Sequence, residues 1–371
     1  MTTILFIMAS MTGGGAEKVF IDLLKNIDYT KYKVTVVILY AYGVHLSSIP
    51  PQVEVIKLFK KEPSKVARKL TPHCMPIFGR IWKRKIRHAL KGRRFDNIVS
   101  YMEGQALLLH SFVTHLSTNN ISWVHTDLLT RHWCCWVFKN REHEKGIYEK
   151  MNHIVCVSQS AKDSFSKAFG INDNLHVIYN IIDRNNILEK SEQSAITKTT
   201  FTICNIGRLN PLKRQDRIVE IASILKSKGL NFDIWILGTG DLEQALKKQA
   251  ERLRVEDCVK FLGFQKNPYP YLKASDMFLL TSDAEGYPTV VCEAFCLGKP
   301  VVSTNITGSD ELLADDTGIL TSLDITEIAE HIETLMNNPE KLEHYARKAR
   351  TKAECFDPRQ TIVEFEKLLG Y

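Results

Sequence analysis

Short apolar runs alternate with helical apolar stripes from one end of the chain to the other. Residues 3–8 (Thr-Ile-Leu-Phe-Ile-Met) and 33–39 (Lys-Val-Thr-Val-Val-Ile-Leu) read as strands buried on both faces, because apolar residues follow one another without polar alternation. Residues 97–100, 121–124, 154–157 and 176–179 continue the series. Between the first two runs, Val19, Phe20, Leu23, Leu24 and Ile27 recur on one face of a helix. A second series starts at residues 201–206 and continues with 232–237, 259–262, 277–280 and 301–303. Helical stripes such as Ile218, Ile221, Ala222 and Leu225 fall between them. Alternation of this kind predicts parallel sheets covered by helices on both faces.

One polar break divides the two series. Residues 184–200 hold Asn185, Asn186, Ser191, Glu192, Gln193 and Ser194, and read as a linker with nothing in it to form a core. The expected organisation is therefore α/β throughout. A Rossmann-like domain covers 1–183, the linker 184–200, and a second Rossmann-like domain 201–354. Residues 355–371 then close the chain with a helix packing back toward the N-terminal domain, with Ile362, Phe365, Leu368 and Leu369 on one face. A length of 371 residues suits two domains, and 44% apolar with 25% charged residues is ordinary for a globular protein. The nine cysteines are scattered, with no Cys-x-x-Cys spacing, which argues against a disulfide framework and a structural zinc site and for a reducing cytosol. The apolar start is six residues long and runs into glycines, so it reads as a strand and not a signal peptide. No run approaches the ~18 apolar residues of a membrane span.

The unusual residues fall just beyond the carboxyl ends of these strands, where open parallel sheets bind ligands. Gly13-Gly14-Gly15 follows the first strand and precedes a helix; such a turn presents backbone N–H groups and a helix dipole to an anion, or is simply a tight turn. His125 follows the strand 121–124. Gly207-Arg208-Leu209-Asn210-Pro211-Leu212-Lys213 is a loop with two cations five residues apart, suited to a diphosphate leaving group or merely solvated. Gly238-Thr239-Gly240 follows the next strand. In Asp283-Ala284-Glu285-Gly286-Tyr287-Pro288-Thr289-Val290-Val291-Cys292-Glu293-Ala294, Pro288 is placed to open a helix that Gly298 closes. The first-turn N–H groups of Thr289 and Val290 suit phosphate. Glu285 before the helix and Glu293 within it could each accept hydrogen bonds from a polyol, or be two solvated acids.

Two glutamates seven residues apart with Gly-Tyr-Pro after the first resemble the signature of the retaining glycosyltransferases of family 4, which have the GT-B fold. Gly13–Lys18, the Trp-Val-His-Thr-Asp around His125, Gly207–Lys213, Gly238-Thr239-Gly240, Phe261-Leu262-Gly263-Phe264 and Gly298–Ser303 agree in order. The resemblance runs from about Ile4 to Leu320. It implies two Rossmann-like domains facing across a cleft, and Arg208 and Lys213 gripping a nucleotide diphosphate. Glu293 would hold the ribose, Phe264 would lie beside the base, and Gly207, Gly238 and Tyr287 would belong to the same nucleotide site. Glu285 would contact the transferred sugar, with the Thr289 and Val290 amides at phosphate or sugar. Gly14 and Gly15 would close the phosphate site, and His125 would meet the sugar near the reacting carbon. The resemblance further implies front-side displacement with retained configuration, a UDP-sugar donor as substrate, and no metal or other cofactor; the chain has no Asp-x-Asp. Thr307-Gly308-Ser309-Asp310 departs from the glycine- or proline-richer turn of many members.

The net charge of +7 is local in origin. Residues 57–94 hold fourteen Lys or Arg and one acid, Glu62, a net +13 that leaves −6 for the rest. Within them Phe78, Ile81, Trp82, Ile86, Ala89 and Leu90 recur at helical spacing, opposite Arg80, Lys83, Arg84, Lys85, Arg87 and Lys91. That is a basic amphipathic helix, expected either at an anionic membrane or packed on a sheet with its charges solvated. Trp82, Lys83, Arg84, Lys85 and Arg87, with Glu103, are the expected acceptor or membrane contacts. A second apolar cluster, Leu128-Leu129 and residues 133–138, is rich in tryptophan, which favours interfaces. No nucleic-acid motif accompanies the basic run. The expected protein is thus a peripheral enzyme of the cytoplasmic membrane face acting on a glycan or polyprenyl-linked acceptor. A nucleotide-sugar epimerase of the same architecture and a non-catalytic sugar-nucleotide-binding partner are the competing readings.

Overall fold

Each strand pairing among the described residues is parallel. The structure, a computed structural model, describes residues 1–370, the side chains of Lys65 and Arg68 excepted; Tyr371, the last residue of the expected closing helix, lies outside them. The strands are β1 (Thr2–Met8), β2 (Tyr32–Tyr40), β3 (Glu54–Phe59), β4 (Asn97–Ser100), β5 (Asn119–Val124), β6 (His153–Cys156), β7 (Leu175–Val177), β8 (Phe201–Ile206), β9 (Phe232–Leu237), β10 (Val259–Gly263), β11 (Met277–Leu280), β12 (Val301–Thr304) and β13 (Ile319–Thr321). They form two sheets, of order β3-β2-β1-β4-β5-β6-β7 and β10-β9-β8-β11-β12-β13. In each sheet the order reverses beside the first strand, between β1 and β4 and between β8 and β11. Loops leaving the carboxyl ends there diverge, and the divergence opens a crevice for ligands.

The chain divides into two compact units, Met1–Ile181 with the chain from Pro358 onward, and Ile182–Asp357. In the first, Ile4, Leu5, Phe6, Ile7 and Met8 are all fully buried. Above them is an aromatic cluster: Phe6 on Phe20 at 5.3 Å, Phe20 on Tyr101 at 4.8 Å and Tyr101 on Trp123 at 4.8 Å. The closing helix, Pro358–Leu368, belongs to this unit. It inserts Phe365 against Trp123 at 5.5 Å, and Asn119 Nδ2 donates to the Leu368 carbonyl at 2.7 Å.

Three features differ from the sequence expectation. The polar segment 184–200 is not all linker. Arg184–Ser191 is a helix whose N-terminus is capped by the Asp183 carboxylate, accepting from Asn186 N–H at 3.0 Å. A single apolar side chain, Ile187, anchors it in the core of the second unit beside Tyr269 and Leu272. Strands β3 and β13 are additional. Both are edge strands, β3 with its outer residues exposed and β13 only three residues long, so neither leaves a buried apolar run to read. The basic helix spans Met75–Ala89, and Trp82, expected as a membrane contact, is fully buried. Its indole meets the Tyr40 ring edge-on at 6.4 Å. Trp82, Ile86 and Leu90 of the expected stripe are buried and make the face that packs on the sheet, while Ile81 is exposed, as are Arg80, Lys83, Arg84, Lys85 and Arg87. Lys85 lies over the Phe59 ring at 4.6 Å, and Arg87 Nε donates to the Phe112 carbonyl at 3.0 Å.

Candidate functional site

In the second unit the loop after β8 is held by its own backbone. Asn210 Oδ1 accepts from the N–H groups of Leu212 and Lys213, each at 3.1 Å. Leu209 N–H donates to the Thr239 carbonyl at 3.0 Å, joining this loop to Gly238-Thr239-Gly240. The glycines there are steric requirements. A Cβ on Gly238 (φ +137°) would lie 1.9 Å from the Gly207 carbonyl oxygen, and one on Gly240 2.2 Å from that of Leu209. Gly238 N–H donates to the Gly263 carbonyl at 2.8 Å, so Phe264, 55% exposed, leaves from the same edge.

The loop after β11 docks on the loop after β8. Thr281 Oγ1 donates to the carbonyls of Lys213 and Arg214, and Asp283 N–H to that of Leu212 at 2.9 Å. Arg217 is buried, with Nη1 2.7 Å from Asp283 Oδ1 and donating to the Thr281 carbonyl at 3.0 Å. Arg214, at φ +51°, pairs with Asp216 and Asp283. These contacts bring Lys213 and Glu285 together: Lys213 Nζ forms an ion pair with Glu285 Oε1, which also accepts from Ser282 Oγ at 2.7 Å. The Glu285 side chain is 13% exposed. Arg208, by contrast, is exposed.

Pro288 is the N-cap of the helix Thr289–Cys296. Thr289 and Val290 are its first two residues, whose N–H groups have no intrahelical acceptor. The helix is apolar and buried nearly all round, yet carries Glu293, 3% exposed. Neither glutamate is a solvated surface acid, and burying a carboxylate is costly enough that such positions mark functional candidates. Tyr287 is half-buried beside the turn at Gly308 (φ +81°), where a Cβ would lie 2.4 Å from the Gly286 carbonyl oxygen. The departing sequence Thr307–Asp310 thus keeps the glycine that this approach needs. Gly207, Arg208, Lys213, Gly238, Phe264, Glu285, Tyr287, Thr289, Val290 and Glu293 therefore gather at one sheet edge of this unit. Ser282, Arg214 and Arg217 were not anticipated. Two arginines three apart at a helix start look like a solvated face until the fold supplies Asp283.

In the first unit Gly14 caps the helix Gly15–Asn26, and Thr12 Oγ1 donates to Glu17 Oε1 at 2.6 Å, closing the glycine turn on the helix. His125 leaves β5 at the same edge. Its ring packs 4.9 Å from Tyr101, while Nε2 has no partner among the described residues. Burial pushes its pKa down to about 4, against the raising effect of Glu103, so the imidazole is neutral at pH 7. Glu103, expected as an acceptor contact, is 1% exposed and does not face outward. Its carboxylate accepts from His125 N–H (3.1 Å), Thr126 Oγ1 (2.5 Å) and Trp133 Nε1 (3.0 Å), so it positions the His125 loop.

Two units with parallel sheets of this order, and anion-suited loops at the reversals, have the GT-B fold. The Glycosyltransferase Family 4 model matches residues 13–186, and the Glycosyl transferases group 1 model matches 186–352. The chain belongs to this family 4-type group and is a glycosyltransferase. It is 24% identical to an uncharacterized glycosyltransferase of Haemophilus influenzae over 371 residues, 98% of each chain. It is 29% identical over 215 residues (57% of this chain, 58% of the other) to a Campylobacter jejuni protein. That relative is named N-acetylgalactosamine-N,N'-diacetylbacillosaminyl-diphospho-undecaprenol 4-alpha-N-acetylgalactosaminyltransferase. Among solved structures, Anabaena HepE in complex with UDP and glucose superposes with a TM-score of 0.81, covering all of both chains at 23% identity.

Proposed function

We infer that the protein transfers a hexose or N-acetylhexosamine from a UDP-sugar, with retention of configuration, to a glycan or polyprenyl-linked acceptor at the cytoplasmic membrane face. The Lys213–Glu285 ion pair beside the N-terminus of the helix Thr289–Cys296 carries this reading. It sets a cation for the diphosphate next to a carboxylate for sugar hydroxyls, with two helix N–H groups at hand. Arg208 is exposed on the same loop, and the two cations neutralise the departing UDP without a metal at that point. Buried Glu293 suits the ribose, and the exposed Phe264 ring suits the uracil face. In the step itself the acceptor oxygen attacks the anomeric carbon on the face from which UDP leaves. The carbon–oxygen bond to UDP breaks with its electron pair going to phosphate, and that phosphate oxygen takes the acceptor proton. A neutral His125 suits a hydrogen bond to a sugar hydroxyl that adds no charge.

The exposed cations of the helix Met75–Ala89, with exposed Ile77 and Ile81, support attachment to an anionic membrane. No helix among the described residues is long and apolar enough to cross one. Incubation with a panel of nucleotide sugars tests the reading. Slow release of UDP from one UDP-sugar, accelerated by a polyprenyl-linked glycan and independent of added Mg²⁺ or Mn²⁺, is expected. Conversion of the sugar to its epimer with no UDP released would overturn it.

A further inference from the structure

Outside the donor site, one set of metal-ligating side chains converges in the first unit. His132 Nε2, Cys134 Sγ and a Glu144 carboxylate oxygen all lie within 4.8 Å of one another. His132 and Cys134 come from the loop after β5, and Glu144 from the helix Arg141–Tyr148, whose N-cap Asn140 accepts from His143 N–H at 2.8 Å. Cys134 and Glu144 are fully buried. His132 Nε2 stands 2.6 Å from Glu144 Oε2, yet neither atom has a partner in hydrogen-bonding geometry. Glu144 Oε1 receives only a long thiol contact from Cys134 Sγ at 3.6 Å. Three metal-ligating groups thus face one another around a buried carboxylate, and the 2.6 Å His132–Glu144 approach requires that the two share either a proton or a cation.

We propose that His132, Cys134 and Glu144 bind a zinc-class divalent cation. One nitrogen, one sulfur and one carboxylate oxygen make a borderline-soft donor set suited to zinc. Bonds of about 2.0–2.3 Å to a tetrahedral ion separate donor atoms by roughly 3.2–3.8 Å. The cluster reaches that by opening the 2.6 Å His132–Glu144 approach by about 0.7 Å and drawing in the wider separations, which are at most 4.8 Å. Binding expels the Cys134 thiol proton to solvent, and water completes the fourth position on the partly exposed His132 side. The consequence reaches His125. Trp133 lies between the two loop ligands, and its Nε1 holds Glu103, which in turn holds His125 N–H. Gly104 (φ +73°) admits this loop; a Cβ there would lie 2.9 Å from Cys134 Cβ. The ion would brace the loop carrying the imidazole and take no part in bond making.

Cobalt and zinc titration of chelator-treated protein tests this independently of any transfer activity. One Co²⁺ per chain is expected, with a thiolate-to-cobalt charge-transfer band that Zn²⁺ abolishes by displacement. Cys134→Ser should lose the band, and Glu144→Gln should weaken Zn²⁺ binding by ~100-fold or more, at least the scale of losing a supporting partner. Cys135→Ser, changing the exposed neighbour, should alter neither. Circular dichroism checks that each variant is folded, and Glu144→Gln preserves the packing if Cys134→Ser does not. A band that persists in Cys134→Ser, or wild-type protein that binds no Zn²⁺ at micromolar concentration, overturns the proposal.

Discussion

Glu285 and Glu293 look alike as a motif and differ in their surroundings. Glu285 is the counter-charge of Lys213, so removing it leaves the ammonium free for phosphate. Glu285→Ala should therefore bind free UDP as well as or better than wild type, while losing affinity for the sugar nucleotide or slowing transfer. Glu293→Ala should weaken both ligands at least about tenfold, the loss of a hydrogen bond to a charged group. Calorimetry separates the cases; equal loss of UDP affinity in both variants would make both residues nucleotide ligands. Lys213→Ala and Arg208→Ala should each lower turnover by ~100-fold or more with folding intact. Near-normal turnover in both would sink the diphosphate assignment. Acid sensitivity is also set at single residues. His110, donating and accepting between Ser100 and Asn120, and His125 are buried, which lowers both pKa values to about 4. Between pH 6.5 and 4 the unfolded chain takes up their protons and the native one does not, so stability falls as pH drops through that window. Each contributes a slope of up to roughly 1.4 kcal/mol per pH unit. Urea midpoints across this range should decline less steeply in His110→Gln; an unchanged slope would remove His110 from the account.

At the scale of elements, the helix Met75–Ala89 has two faces with separable tasks. Trp82→Ala removes a fully buried indole and should cost about 3–5 kcal/mol of stability, read from urea unfolding. Replacing Lys83, Arg84, Lys85 and Arg87 together with Glu should release the protein from anionic vesicles. It should leave UDP binding unchanged, and stability should change only by the exposed cation–π contacts of Lys83 and Lys85, about 0.5–1 kcal/mol each, and the Arg87–Phe112 hydrogen bond, about 0.5–1.5 kcal/mol. Equal sedimentation of wild type and this variant with vesicles would refute membrane attachment through these cations. The amphipathic period was legible in the residues; which partner met the apolar face was not, because a sheet and a membrane accept the same stripe. The helix Arg184–Ser191 shows the converse. One buried isoleucine and an Asp cap suffice where neighbouring elements supply the core, and no local apolar period announces them.

At the scale of the molecule, the chain closes its first unit with its last helix. Phe365 fills a site between Phe6 at 6.0 Å and Trp123 at 5.5 Å, joining residues far apart in sequence. Ending the chain at Asp357 should lower the melting temperature of the first unit and open it to proteolysis. The second unit, Ile182–Asp357, keeps all its own residues and should persist as a resistant fragment. If both units lose protection together, the helix serves more than the first.

The alternation of strands and helices, the parallel sheets and the placing of glycines, cations and glutamates at strand ends were written in the residues themselves. Each rests on local chemistry: apolar runs, turns that exclude side chains, and a proline opening a helix. Contacts between distant segments needed the fold. Only tertiary structure sets Lys213 against Glu285, gives Arg217 its Asp283, and turns Glu103 inward beneath His125. It alone brings Glu144 up to His132 and Cys134, a trio with no paired-cysteine spacing to betray it. The reason is physical: a charged side chain has the same sequence signature in water and in a buried pair, and only its neighbours in space decide which it becomes.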